Sequence, residues 1–404
     1  MMKKILLLLI LATFSCSKKD VFEVDRQIII KPSAKCENGF AGKYPCKDYD
    51  LLAHISLEEM AGENTVGNDS WAWVDSATNK EYALVGTNKG VSFIDITNPA
   101  KATILGFLKT RTENSSWRDI KVYKNVAYIV SEAKDHGMQI FNLNRLAQVT
   151  NPPIEFVADR EYSGFGSAHN IVINEESGFA YAVGTKTFAG GPHFIDLSDP
   201  FQVKAAGGFE QSAYSHDAQV VTYNGPDLDY TGKEILIGSN ENEVVIVDVT
   251  DKENPTKIAA ISYSNIGYTH QGWFTEDFKY FILGDELDEK NKGVNTRTII
   301  FDFTDLDNPL LHFEYLGKSA AIDHNGYVKG NLFFQANYTA GVRIIDISNI
   351  DNKAFSEVGF FDTYPENDNT AFNGAWNVYP YLPSGNIIIS DINRGLFVIR
   401  KSKS

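Results

Sequence analysis

Residues 243–255 read EVVIVDVTDKENP: a run of β-branched apolar residues that ends on Asp248 and gives way to a polar turn. The same arrangement returns at 90–99 (GVSFIDITNP), 137–146 (GMQIFNLNRL), 191–200 (GPHFIDLSDP), 298–309 (TIIFDFTDLDNP), 341–352 (GVRIIDISNIDN) and 395–402 (GLFVIRKS). Each copy has the signature of a strand running into an Asn/Asp/Pro turn. From Gly90 to Gly395 six steps cover 305 residues, about 51 per step. That period suits propeller blades and is too long for most solenoid repeats.

Working outward from each copy, a second apolar strand lies just upstream: EYALVG, VAYIVS, FAYAVG, EILIGS, KYFILG, LFFQAN and NIIISD. A first strand precedes that one, opening at Ser70, Arg118, His169, His216, His270, His324 and Gly374. A fourth follows the turn, as in ATILGFL and FSEVGFF. Four strands per unit predict an all-β fold, a seven-bladed β-propeller of four-stranded blades over residues 50–400. The last unit lacks a fourth strand, and Asp50 to Leu57 (DLLAHISL) has the pattern to supply it. The expected ring is therefore closed by an N-terminal strand pairing with the last blade, which removes two open sheet edges.

The composition agrees with one large folded body. Of 404 residues 43% are hydrophobic and 22% charged, and 37 Lys and Arg against 52 Asp and Glu leave a net charge of −15. A chain so acidic, with no basic run beyond its first residues, is not built to grip nucleic acid. At the N-terminus Lys3 and Lys4 precede the apolar run Ile5 to Ala12 and small Ser15, the layout of an export signal over 1–15 that is too short to span a bilayer. Cys16 directly after Ser15 resembles a lipobox, so lipid on Cys16 would hold the protein to a membrane, with residues 16–35 as tether. With Cys16 lipidated, the remaining Cys36 and Cys46 form one pair over residues 36–49, a disulfide in an oxidising compartment; a two-Cys metal site is the alternative. The expected address is the outer membrane or cell surface of an exported lipoprotein.

Several stretches resemble the choice-of-anchor B family of bacterial surface proteins, whose strands carry LVIVD repeats. They are CENGFAGKYPC followed by DLL, WRDIKVYKNVAYIVSEAKDHGMQIF, HNIVINEESGFAYAVG, YSHDAQVV with NGPD, THQGWFTED with GDELDE, DHNGYVKG with QANYTAGVRIIDIS, and FNGAWNVYPYLPSGNIIISD. The resemblance covers roughly residues 36–400. It implies an exported propeller body whose surface anchor differs between members, here the N-terminal lipid, and no assigned reaction.

In a propeller the first strand of each blade lines the axial channel, and the start of strand one shares a face with the end of strand two. Arg118, His169, His216, His270 and His324 therefore converge on one channel mouth, each followed by a residue with a side-chain oxygen: Asp119, Asn170, Asp217, Gln271 or Asn325. Loops after strand two bring Glu132, Glu241, Asp285, Glu286 and Asp391 towards the same mouth. Imidazole beside carboxylate suits Zn²⁺, Mn²⁺ or Fe²⁺, and an all-oxygen set suits Ca²⁺. His169, His216, His270 and His324 are the candidate metal ligands, and Glu132, Asp285 and Glu286 are the acid or base of an enzyme reading. Against this stands a structural reading in which His with Asn or Asp bridges neighbouring blades. For Arg118 and Asp119 an ion pair within the blade is expected. The five tryptophans near the first strands read as blade packing ahead of a stacking platform for sugars.

Three functions remain open from sequence: a binding propeller for a ligand, peptide, protein or extracellular polymer at its channel mouth; a metal-dependent hydrolase or lyase on such a polymer; and a passive adhesion scaffold. No P-loop, GxSxG or dinucleotide fingerprint is present.

Overall fold

The computed structural model describes residues 33–403; the signal segment, Cys16 and most of the 16–35 tether lie outside the described residues. The strands fall into seven antiparallel-based sheets that follow one another along the chain. Their innermost strands are Gly67–Asp75, Arg118–Tyr123, Asn170–Asn174, Asp217–Thr222, Thr269–Phe274, Gly326–Lys329 and Ala375–Tyr379. These touch in cyclic order, the last against the first, which makes the fold an all-β β-propeller with a central axis.

The expectation of seven four-stranded blades needs correction. Six units, not seven, are complete four-stranded blades drawn from one stretch of chain; the last sheet is a composite in which Gly395–Lys401 pairs with Tyr49–Ile55 from the other end. Two of the six are also larger than expected. Ile154–Phe156 adds a parallel fifth strand beside Thr103–Lys109, and three short strands between Cys36 and Lys47 extend the sheet whose outer strand is Ala354–Phe361. An outer edge with open N–H and C=O groups accepts whatever strand passes near it, and no repeat pattern records that.

The recurring Asp has a local structural use. Asp95, Asp196, Asp248, Asp302 and Asp346 each accept, through Oδ1, the backbone N–H two residues on, at 2.7–3.0 Å. This Asx-turn folds the chain back into the outer strand and explains why the copies end on Asp rather than on another polar residue. The core lies between sheets: each of the seven buried apolar clusters draws on two neighbours, as where Phe93 stacks on Phe141 at 4.5 Å. Burying both faces of every inner sheet is what excludes water from the strands and fixes the ring.

Cys36 and Cys46 are joined by a disulfide, with Cα atoms 5.9 Å apart. The hairpin it closes lays Tyr44 against Phe361 and Phe397, so the linkage pins the N-terminal segment across the two sheets that meet at the ring's seam. Among the described residues no helix is long and apolar enough to cross a membrane.

Candidate functional site: a histidine-lined channel mouth

The inner strands place side chains in three layers along the axis. Alternation along each strand sends the second and third layers, two residues apart, into the channel, while the first layer is the residue that opens each strand and caps the mouth. The outermost layer at one end holds Arg118, His169, His216, His270, His324 and Trp376; the next holds Asp69, Asp119, Asn170, Asp217, Asn325 and Asn377, with Gln271 on the same aligned position.

Asp69 and Asn377 correct the alignment read from sequence, which opened the first and last inner strands at Ser70 and Gly374. Both strands carry irregularities, between Gly67 and Ser70 and between Ala375 and Asn377. The extra residues shift the register, so that Asn68-Asp69 and Trp376-Asn377 stand where His324-Asn325 stands in its blade. The signal was present in the likeness of WNVY to HNGY.

The second layer is a belt of bonds between blades. Asp69 accepts the Ile120 N–H at 3.1 Å, Asp119 that of Ile171 at 2.9 Å, and Gln271 that of Gly326 at 2.9 Å. Asn170 donates to Asp217 at 2.7 Å, Asn325 to Asn377 at 3.3 Å, and Asn377 to Asp69 at 2.6 Å and to the Ser70 carbonyl at 2.7 Å. The bridging role considered for His with Asn or Asp is thus shared: this layer carries most of the bonds, and the histidines add His216 Nδ1 to the His270 carbonyl at 3.4 Å, His324 Nδ1 to the Trp376 carbonyl and His169 to Glu132. A buried cation from the next layer, Lys121, bonds both Asp119 oxygens at 2.8 and 3.0 Å. Burial lowers the Lys121 pKa, but Asp119 and Asp69 outweigh it and hold the amine charged. Burial likewise drives the Asp69 carboxyl well above the usual range and Asp217 up to about 7.

Arg118 does not pair with Asp119. Its guanidinium turns outward and donates to the Thr87 carbonyl at 3.1 Å and the Thr110 hydroxyl at 2.8 Å, and meets His136 Nε2 at 3.1 Å. The expected ion pair fails because Lys121, two residues on and on the same strand face, occupies both Asp119 oxygens.

The imidazoles form a row. Ring centroids of His169 and His216 are 4.0 Å apart, those of His216 and His270 4.4 Å, those of His270 and His324 4.4 Å, and Trp376 follows at 4.7 Å. Burial holds the pKa of His216 well below the ordinary value and those of His270 and His324 down at about 3, so these rings are neutral. His324 Nδ1 donates to the Trp376 carbonyl at 2.5 Å, which fixes the tautomer with a free lone pair on Nε2. Among the described residues His270 Nδ1, buried, has no hydrogen-bond partner.

Of the predicted acids, Glu286 reaches these rings. Its carboxylate lies 3.7 Å from both His270 Nε2 and His324 Nε2, and Tyr338 donates to it at 2.7 Å. Glu132 pairs with His169 Nδ1 at 2.6 Å on the rim. Asp285 corrects the expectation: it is fully buried below the mouth, accepting the Gly267 and Tyr268 N–H groups and the Tyr263 hydroxyl, with Arg297 3.6 Å away. Its neighbour Glu286 points the other way because successive side chains at a strand end alternate. Asp391 is consumed too, by the Asn393 and Arg394 N–H groups of its own turn. Glu241 contributes its carbonyl to Thr269 N–H. His54, His136, His193 and His312 lie off the aligned position; His54, His193 and His312 bond elsewhere, and His136 reaches the mouth only through Arg118.

The ligand atoms of His270, Glu286 and His324 all lie within 4.8 Å of one another. Bonds of about 2.1 Å to a tetrahedral ion give edges of about 3.4 Å between ligands, close to the two separations of 3.7 Å here. The recess between the imidazoles and the belt, lined by His270 and His324 though not by Glu286, is narrow, about 20 Å³, room for a water-sized group. A second acidic group, Asp227, Asp305 and Asp307, is exposed at the surface and tied up by Leu306, Tyr230 and its own turn.

No protein-family model matches the chain, and no curated protein matches it in sequence. Solved structures do resemble it. Hydrazine synthase from Kuenenia stuttgartiensis superposes with a TM-score of 0.58 at 12% identity, covering 80% of this chain and 93% of that one. A protein from Lactobacillus plantarum gives 0.52 at 11% identity over 80% and 87% of the two chains. The Cps50 (Swd1) β-propeller domain of Myceliophteria thermophila gives 0.52 at 9% over 84% and 100%. At such identities the likeness concerns fold alone: the class of protein is the β-propeller.

Proposed function

We propose that this chain is an exported, lipid-anchored β-propeller of the choice-of-anchor B type that binds a ligand at its histidine-lined channel mouth, and that the core of that ligand is a divalent transition-metal ion. The observation that carries the metal is the set His270, His324 and Glu286: two neutral imidazoles and a carboxylate at ligand spacing, one imidazole fixed by a carbonyl and the carboxylate by Tyr338. Such outer partners orient metal ligands. Nitrogen-rich donors favour Zn²⁺, Fe²⁺ or Mn²⁺ over Ca²⁺. The export signal and Cys16 anchor support the surface address.

Binding is favoured over catalysis on a polymer because the recess admits a water-sized group, leaving a chain molecule only the rim. The hydrolase or lyase reading rests on the rim pair Glu132 and His169 beside the candidate metal. The test is elemental analysis of protein dialysed against Zn²⁺, Mn²⁺ or Fe²⁺, with Glu286→Gln and His324→Gln alongside. About one equivalent retained by the wild type, and lost in both variants while their unfolding in chelator matches wild type, is the expected result. Wild-type protein that retains no metal, and whose melting temperature no metal raises, overturns it.

A further inference from the structure

The third layer of the channel has a different character. Where the first layer is imidazole, the positions three residues further along the inner strands are Trp71, Lys121, Val172, Gln219, Trp273, Tyr327 and Tyr379. All of these but Tyr327 line a basin of about 320 Å³ at the opposite end of the axis from the histidines. That is the lower end of the size range for small-ligand sites. Its walls are the rings of Trp71, Trp273, Tyr379 and Tyr381, which stand edge to face around buried Tyr327: Trp71 to Tyr327 at 6.0 Å, Trp273 to Tyr327 at 4.9 Å, Tyr379 to Tyr381 at 5.4 Å.

These rings are only partly spent on blade packing: each touches an inter-blade core with part of its surface. Trp73, on the same strand as Trp71, is fully buried between two sheets and stacks on Tyr82, whereas Trp71, Trp273, Tyr379 and Tyr381 remain half-buried with surface facing the basin. The polar groups among them have spare capacity. Gln219 uses Oε1 to accept the Phe274 N–H at 2.8 Å, and neither its Nε2 nor the Trp71 indole N–H meets a partner among the described residues. Glu175 adds a carboxylate at the lining.

Charge narrows the ligand. Lys121, 4.6 Å over the Trp71 ring, already occupies that aromatic face and disfavours a second cation. An anion would meet Glu175 at the rim and the acids of the belt below. A wholly apolar guest would leave the Gln219 amide and the Trp71 N–H unsatisfied, which costs free energy. A neutral ring with apolar faces and hydroxyl edges fits all three constraints.

We infer that this aromatic basin is a second binding site, independent of the histidine mouth, and that it takes a single pyranose residue, free or at the end of a saccharide, stacked on Trp273 with hydroxyls bonded to the Trp71 indole N–H, Gln219 and Glu175. The probes are D-glucose, D-galactose and N-acetyl-D-glucosamine, with choline and acetate as controls, followed by indole fluorescence and isothermal titration. At least one sugar should shift the indole emission and bind in the millimolar range or tighter. Binding should weaken about tenfold or more in Trp273→Phe and in Gln219→Glu, the latter keeping an acceptor for Phe274 N–H while losing the amide donor. Thermal unfolding of both variants checks that they fold. Glu286→Gln in chelator should bind the sugar as wild type does, which separates this site from the metal. Absence of any response to all three sugars at tens of millimolar, a response to choline or acetate in their place, or sugar binding unchanged in both folded variants would overturn the inference.

Discussion

The two ends of the axial channel are built from the same seven strands, three residues apart, yet they are chemically opposite. One is narrow, buried and nitrogen-rich; the other is an open aromatic basin. What separates them is the belt of Asp, Asn and Gln, whose side chains are occupied with bonds to neighbouring blades. A polar group is available to a ligand only when the fold has not already used it. By that criterion Glu286, His270 and His324 at one end and Gln219 at the other are candidates, while Asp119, Asp285 and Asn377 are structural although they look equally reactive in sequence.

The comparison can be broken first through the loop under the histidine end. Arg297 bonds Asp288 at 2.6 Å and Glu314 at 3.0 Å and faces Asp285 at 3.6 Å, all but Glu314 fully buried. Arg297→Ala should cost about 3–5 kcal/mol, because buried carboxylates lose their counter-charge. In denaturant titrations it should be the most destabilised variant, and what folds should lose metal before it loses sugar binding. The belt comes next. Asn377→Ala strips partners from Asp69 and from the Ser70 carbonyl and should cost roughly 2–4 kcal/mol by the same titration, weakening both ends together. If only one end changed, the two mouths would not share the belt. Replacing Cys36 and Cys46 by Ser should cost roughly 2–3 kcal/mol in non-reducing unfolding, from a loop this short, and leave both ends intact.

The smallest effect is in pH. Asp217 has its pKa pushed up to about 7 by burial, against an ordinary value near 3.8. A raised folded value means the unfolded state gives up the proton first, so stability present below about pH 4 is lost as pH rises towards 7. Asp217→Asn should flatten the stability curve across that interval, by a few kcal/mol at most. Unchanged slope between wild type and variant would show the belt to be ionised in the folded state. The buried imidazoles act in the opposite sense: their depressed values favour the folded state above pH 6.5, an advantage lost as pH falls towards 3, so the belt and the histidine mouth titrate against each other.

The strands and their turns were legible because the repeat is local. Asp248 and its counterparts close Asx-turns within two residues, and the apolar run before each is a buried strand, so period and pattern suffice. The convergence of His169, His216, His270 and His324 followed from that period as well. The strands added at two outer edges were not legible, since an edge takes partners from distant chain.

Sequence by itself determined the strands, the turns between them and which four imidazoles share a mouth, because each depends on side-chain periodicity within one unit. Only tertiary structure decided the rest: that bulges bring Asp69 and Asn377 into the belt, that Lys121 takes Asp119 from Arg118, and that Glu286 faces the rings while Asp285 is buried. Those outcomes turn on which of several competing donors and acceptors lie within bonding distance after the sheets pack, and groups from different sheets have no fixed separation along the chain.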